Sequence, residues 1–216
     1  MFQKDYWERK SLDQRRDPAH PVVKSYVLPK LDWVQQFVPL KASTRVLDVG
    51  AGNGFFSYYL NQLANTTAVD FSQKMLLKNP VPQKALMDAG HLAFCDFAFD
   101  VVFCHALLHH VEDLAKVLGE MKRVSSQTVV LMEPNPANPL MALFSALVPE
   151  ERKALAFSES YLKKALEDQG LQVVASCAFG WIVPNKTPVF LLPFLRLLNF
   201  SQPWGMTRIL VARRRS

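Results

Sequence analysis

Val46-Leu47-Asp48-Val49 runs directly into Gly50-Ala51-Gly52-Asn53-Gly54, and bulky residues at helical spacing continue from Phe55 to Leu63. An apolar, β-branched run of this length favours a buried strand. The glycines let the backbone turn sharply and let a ligand approach without meeting a Cβ. A strand that ends in such a turn and re-emerges as a helix belongs to an α/β sheet, with a nucleotide-type cofactor site at its carboxyl end. The same rhythm continues along the chain. Arg45–Val49, Thr67–Asp70, Lys84–Asp88, Asp100–Cys104, Thr128–Glu133, Leu171–Ala175 and Ile209–Arg213 read as strands, separated by helical patterns, which predicts a parallel sheet with crossover helices. Ser72 is placed to cap a helix over Gln73–Lys78, and Glu112 and Asp113 stand at the start of one running to Val124. Ser158 or Ser160 opens another that ends at Gly170.

Spacing decides which nucleotide the first turn suits. A dinucleotide fingerprint reads G-x-G-x-x-G, whereas here the sixth position is Phe55 and the glycines fall as G-x-G-x-G, with Asp48 two places before them. A pyrophosphate is repelled by a nearby carboxylate, and an amino-acid ammonium group is attracted by it. Asp48 therefore tilts the reading from a nicotinamide cofactor towards one with a methionine-like end. Asp70 closes the second strand, where a carboxylate accepts from both hydroxyls of a ribose. Both cofactors carry that ribose, so Asp70 does not discriminate.

These segments, taken in order, resemble the class I S-adenosylmethionine-dependent methyltransferases, especially the small-molecule branch of ubiquinone and menaquinone biosynthesis. The resemblance rests on Val46 to Gly54, Val69-Asp70-Phe71-Ser72, Met87-Asp88-Ala89 with Phe94, Asp96, Phe99 and Asp100, and Val101 to Val111, and covers roughly residues 44 to 135. It implies a Rossmann-like three-layer sandwich around a seven-stranded, mostly parallel sheet whose last strand is antiparallel. It also implies S-adenosyl-L-methionine as cofactor. Gly50, Gly52 and Gly54 would line its methionine and ribose portion, Asp48 its ammonium end, Asp70 the ribose diol and Phe71 the adenine. Asp88 would accept from the adenine amine, the Ala89 N–H would donate to its ring, and the backbone of Cys104 and His105 would flank the sulfonium.

Methyl transfer from a sulfonium is an in-line displacement on an activated carbon, so alignment and exclusion of water matter most. Where the acceptor must lose a proton, His105, His109 and His110 are the candidate catalytic groups, since imidazole titrates near neutral pH. The alternative for the His-His pair is packing and hydrogen bonding at a loop-to-helix junction. A metal site is not expected, because no complete ligand set is evident around the cluster. After the fourth strand the chain reads Cys104 to Leu108, not the Asn/Asp-Pro-Pro-aromatic run of base N-methylating enzymes, and no Pro-Cys pair marks a cytosine nucleophile. Direct nucleic-acid methylation is disfavoured.

The remaining segments point to an acceptor with an apolar body. Leu140 to Val148 is apolar nearly all round, which predicts a covered helix rather than a fully exposed one. Phe179 to Leu195 adds aromatic and aliphatic residues stiffened by Pro184, Pro188 and Pro193. Core packing is the plain reading of both segments. The sharper one is a hydrophobic roof over a small or lipid-like acceptor, with peripheral membrane contact through residues 179–200.

At 216 residues the chain is expected to form a single domain, with a helical cap over 1–43 anchored by Trp7, Tyr26, Trp33 and Phe37, a cofactor half over 44–135 and an acceptor-side half over 136–216. Three widely separated cysteines indicate no disulfide framework, and no charge-free apolar run reaches the ~18 residues a membrane span needs, so a cytoplasmic protein is expected. Lys and Arg exceed Asp and Glu by 25 to 19, and Arg213-Arg214-Arg215 reads as a solvated tail. Two alternative functions stand beside methyl transfer: a catalytically silent domain that binds a ligand or partner, and an NAD(P)-dependent oxidoreductase.

Overall fold

The computed structural model describes residues 15–215; Trp7 lies outside them. The first helix, α1 (Pro21–Gln35), begins where His20 Nδ1 accepts from the Val22 N–H and Pro21 occupies the first turn. Pro29 sits inside it and has no N–H to give to the carbonyl four residues back. That carbonyl, of Ser25, accepts instead from Asn199 Nδ2 at 2.5 Å, which fastens the C-terminal part of the chain to α1.

From there strands and helices alternate as β1 (Arg45–Val49), α2 (Ser57–Leu63), β2 (Asn65–Asp70), α3 (Gln73–Lys78), β3 (Lys84–Leu86), β4 (Phe99–His105), α4 (Leu114–Val124) and β5 (Ser125–Pro134). α5 (Pro139–Leu147) is followed by a 3₁₀ segment, Pro149–Ala156, and by α6 (Glu159–Asp168) and β6 (Leu171–Phe179). After a short 3₁₀ turn, α7 (Leu192–Leu197) leads to β7 (Thr207–Arg214). The expected caps hold. Ser72, Asp113 and Ser158 each accept from the backbone N–H three residues on, and Gly170 ends its helix with a φ of +72°.

The seven strands form one sheet in the order β3-β2-β1-β4-β5-β7-β6, parallel up to β5, with β7 antiparallel to both neighbours. Residues of the central strands alternate between two cores. Val46, Val101, Phe103, Val130, Met132, Ile209 and Val211 face α1 and α2, and Leu47, Val102, Cys104, Leu131 and Leu210 face α4 and α6. A sheet covered on both sides needs apolar residues on both faces of each strand, which is the pattern that makes the strands legible.

Three expectations are corrected. Arg213 and Arg214 are not a free tail: they close β7, where Arg213 donates to the Phe37 carbonyl at 2.8 Å and Arg214 to the Lys122 and Ser125 carbonyls at 2.7 and 3.1 Å. α5 is not covered: of its nine residues only Ser145 is buried, and Leu140, Leu143, Phe144 and Leu147 are exposed. Core packing also fails for most of 189–200, where Leu192 is buried but Phe190 is 80% and Phe194 63% exposed. Among the described residues, no helix is long and apolar enough to cross a membrane.

Candidate active site

At the carboxyl ends of β1, β2, β4 and β5 the chain encloses a cavity of about 830 Å³. Its floor is the first turn. Gly50 and Gly52 hold φ of +71° and +53°, a region costly for any residue with a Cβ. A Cβ on Gly50 would strike Leu107 at 2.9 Å, whereas above Gly52 the nearest atom is Arg15 Nη1 at 3.8 Å, so the turn lays its bare backbone open towards the cavity. Arg15 donates to Asn53 Oδ1 at 3.0 Å, and both residues line the space.

Two carboxylates frame that turn. Asp70 accepts from the Gly52 N–H and the Ser72 N–H, each at 2.8 Å, one bond to each oxygen. A carboxylate oxygen has two acceptor positions, so Asp70 can hold the turn and also accept hydroxyls of a ligand. Asp48 is buried and accepts from the Ser57 hydroxyl at 2.5 Å; burial pushes its carboxyl up to about 7. A carboxylate so starved of solvent is a place for a cation.

The third wall is the turn after β4. Ala106 has a φ of +49° and donates to the Met132 carbonyl at 2.7 Å. Glu133, near the end of β5, holds the next three residues: its Oε1 accepts from the Leu107 and Leu108 N–H groups at 3.0 and 2.9 Å, and its Oε2 meets His109 Nδ1 at 2.5 Å. The other ring nitrogen of His109 lies 3.1 Å from Glu151, from the 3₁₀ segment after α5. Burial alone would lower the His109 pKa, but the two carboxylates outweigh it and raise it to about 9, so this ring is an imidazolium at neutral pH. With both nitrogens donating, His109 is a tie between elements and not a proton acceptor. His110 packs against it with its ring tilted by 46°, ring centres 3.9 Å apart.

His105 differs. Its Nε2 lies 2.7 Å from the Tyr26 hydroxyl of α1, which in turn lies 3.2 Å from Thr207 Oγ1 of β7. Burial pushes the imidazole down to about 3 and the Tyr26 phenol up to about 12, so a neutral histidine and a neutral phenol face the cavity. Such a pair donates and accepts hydrogen bonds without carrying charge.

Of the residues singled out from sequence, Asp48, Gly50, Gly52, Asp70, Phe71, His105, His109 and His110 line this one cavity. Gly54, Asp88, Ala89 and Cys104 do not. Gly54 packs where a Cβ would strike Asn79, Cys104 points into the core beneath the sheet, and the exposed Asp88 turns its carboxylate onto the Gly90 N–H at 2.7 Å. His109, His110 and Glu151 bring three ligand-type atoms within 4.8 Å, a grouping the sequence does not announce because Glu151 lies far along the chain. Both nitrogens of His109 already meet carboxylates, however, which is the geometry of an ion pair. Tyr26, Glu133 and Glu151 are site residues that sequence reasoning missed. A signal existed for Glu133, a lone carboxylate closing an otherwise apolar strand; none links Tyr26 or Glu151 to the site.

The profile of the methyltransferase domain family matches residues 47–132, which carry the turn, both carboxylates and the three histidines. The phosphatidylethanolamine N-methyltransferase of Cereibacter sphaeroides is 31% identical over 144 residues, covering 60% of this chain and 71% of that protein. The chain belongs to the class I S-adenosylmethionine-dependent methyltransferases. A ubiquinone biosynthesis O-methyltransferase of Ralstonia nicotianae is 35% identical over 99 residues, 41% of each chain. A solved structure from Thermotoga maritima, described as a possible histamine N-methyltransferase, superposes with a TM-score of 0.70 at 15% identity over 90% of this chain and 92% of that one, a likeness of fold. This methyltransferase therefore has the sheet and the activity class expected of it, and the nicotinamide alternative is set aside.

Proposed function

We propose that this methyltransferase transfers the methyl group of S-adenosyl-L-methionine to a small, lipid-like acceptor with a polar atom at one end of an apolar body. One observation carries the reading: a single cavity joins the Gly50–Gly52 turn, with Asp48 and Asp70, to a polar group of Tyr26, His105 and Thr207 and to the apolar residues Leu140, Phe144, Ile182 and Val183. The turn and its two carboxylates fit the cofactor, with Asp48 for its ammonium group and Asp70 for its ribose. When bound, the cofactor supplies a methyl carbon already activated by the sulfonium. The chain's part is alignment. Tyr26 and His105 hold the polar end of the acceptor by neutral hydrogen bonds, and the apolar residues fix its body and exclude water. His105, with its pKa near 3, positions the acceptor and takes no proton at neutral pH.

Two relatives support the acceptor class: one is named for phosphatidylethanolamine as its substrate, and the other for ubiquinone biosynthesis. The test is methyl transfer from labelled S-adenosylmethionine into separated lipid, soluble-metabolite, RNA and protein fractions. Label in the lipid fraction is expected; label confined to macromolecules rejects the reading.

A further inference from the structure

Exposed apolar residues gather on two segments near the cavity. On α5, Leu140, Leu143, Phe144 and Leu147 stand at i, i+3, i+4 and i+7 and are 45 to 72% exposed. Residues at that spacing share one helix face. Phe190 of the 3₁₀ turn Val189–Leu191, with Phe194 and Leu197 of α7, is likewise left outside, the three being 63 to 80% exposed, while Leu192 and Leu195 of α7 pack towards α1. A soluble monomer seldom leaves this many large apolar side chains exposed around one cavity-bearing end without a use for them.

Charge and position say what the surface meets. Residues 134–149 and 177–207 together hold two basic side chains, Lys186 and Arg196, both exposed, and no acidic one. The acidic pair that comes next in the chain, Glu150 and Glu151, begins the 3₁₀ segment, and Glu151 is turned inward onto His109. The two regions meet where Asn138, the cap of α5, donates to the Trp204 carbonyl, with Trp204 itself 58% exposed. Leu140 and Phe144 on one side and Ile182 to Lys186 on the other also line the cavity. Two apolar segments whose own charged side chains are exposed Lys186 and Arg196, the latter also donating to the Ser25 hydroxyl at 2.9 Å, and which open into a cavity at their edge, are suited to the interface of an anionic bilayer. Aromatic and leucine side chains enter the acyl boundary there, and Lys or Arg pair with headgroups.

We propose that this methyltransferase docks on anionic lipid surfaces through α5 and the Val189–Trp204 segment, so that an acceptor enters the cavity from the lipid side. The entry route rests on the lipid-like acceptor proposed above; the docking does not. The test uses the full chain, sedimented with vesicles of phosphatidylcholine alone and of phosphatidylcholine mixed with phosphatidylglycerol. Binding to the mixed vesicles is expected, weakened but not abolished by salt. Replacing Phe190 and Phe194 together by Ser, or Leu143 and Leu147 together by Ser, should weaken it by about tenfold for each side chain removed. S-adenosylmethionine affinity measured by calorimetry should stay unchanged, which shows that the variants fold.

Absence of vesicle binding, binding that salt alone abolishes, or binding indifferent to these substitutions overturns the proposal. So does a concentration-dependent dimer that the same substitutions dissolve, since a second copy would then be what covers these residues. Vesicle binding without label in the lipid would remove the lipid acceptor and leave the docking standing. Label in a water-soluble acceptor without vesicle binding would overturn both the docking and the lipid entry route.

Discussion

Asp48 and His109 are buried ionisable groups that both line the cavity, and each makes a different pH dependence. In the folded protein Asp48 keeps its proton up to about pH 7, well above the 3.8 of a free carboxyl. The folded state therefore binds more protons than the unfolded one between those values, and stability falls as pH rises through that window. A cation beside Asp48 reverses the balance by drawing the proton off. S-adenosylmethionine affinity should therefore strengthen as pH rises through 7, with proton release visible by calorimetry in buffers of different ionisation enthalpy. Asp48→Asn should bind about 10- to 100-fold more weakly and lose that dependence. For His109 the folded pKa of about 9 lies above the free value of 6.5, so its contribution is complete below 6.5 and is lost as pH rises towards 9. The shift corresponds to about 3 kcal/mol. Denaturant midpoints measured across that interval should decline in the native chain, and Glu133→Gln should flatten the decline while lowering stability at neutral pH.

Between elements, α1 and the α7 region are joined by the packing of Leu192 and Leu195, by Arg196 donating to the Ser25 hydroxyl at 2.9 Å, and by one substituted hydrogen bond. Pro29 deprives the Ser25 carbonyl of its helical partner, and Asn199 supplies the replacement at 2.5 Å. Asn199→Ala should cost about 1 to 3 kcal/mol in denaturant unfolding, the cost of a buried carbonyl left unmet. In the Pro29→Ala background the cost should shrink, because the alanine brings the missing N–H, and a double-mutant cycle reads the difference. Such a bond has no trace in the sequence, since nothing local relates residue 25 to residue 199. The seven strands are legible for the opposite reason: Val46 to Val49 or Val129 to Met132 sit between two helical layers, and the demand for apolar side chains on both faces is written in consecutive residues. The first turn and Asp70 are legible because strand, glycines and carboxylate lie within one short stretch. Tyr26, 79 residues from His105 and 181 from Thr207, reads only as an apolar anchor, and it is the fold that turns its hydroxyl into part of the site. The apolar side chains of α5 and beyond mislead because apolar composition signals burial, and these residues are apolar yet exposed.

Across the whole molecule the cavity has two ends built from different parts of the chain. Asp48, Gly50, Gly52 and Asp70 come from β1, β2 and the turn between β1 and α2, at the carboxyl end of interior strands. Phe144 comes from α5, Val148 from its cap and Glu151 from the 3₁₀ segment that follows; three of the four residues in the helix's apolar stripe are more than half exposed, and Ser145 alone of the helix is buried. His109 links the two, its ring shared between Glu133 on the sheet and Glu151 on the 3₁₀ segment, which forms part of the proposed acceptor wall. Breaking the second of these contacts should therefore loosen the acceptor end and spare the cofactor end. Glu151→Gln is expected to raise the acceptor KM by about tenfold, the loss of one charge-assisted bond to a buried ring. S-adenosylmethionine affinity should change by less than about twofold, because Asp48 and Asp70 are held by the first turn and its helices, away from the 3₁₀ segment. Steady-state kinetics in both substrates, with calorimetry for the cofactor alone, separates the outcomes: equal losses at both ends would mean that the His109 tie supports the cofactor turn as well, and that the cavity works as a single rigid unit.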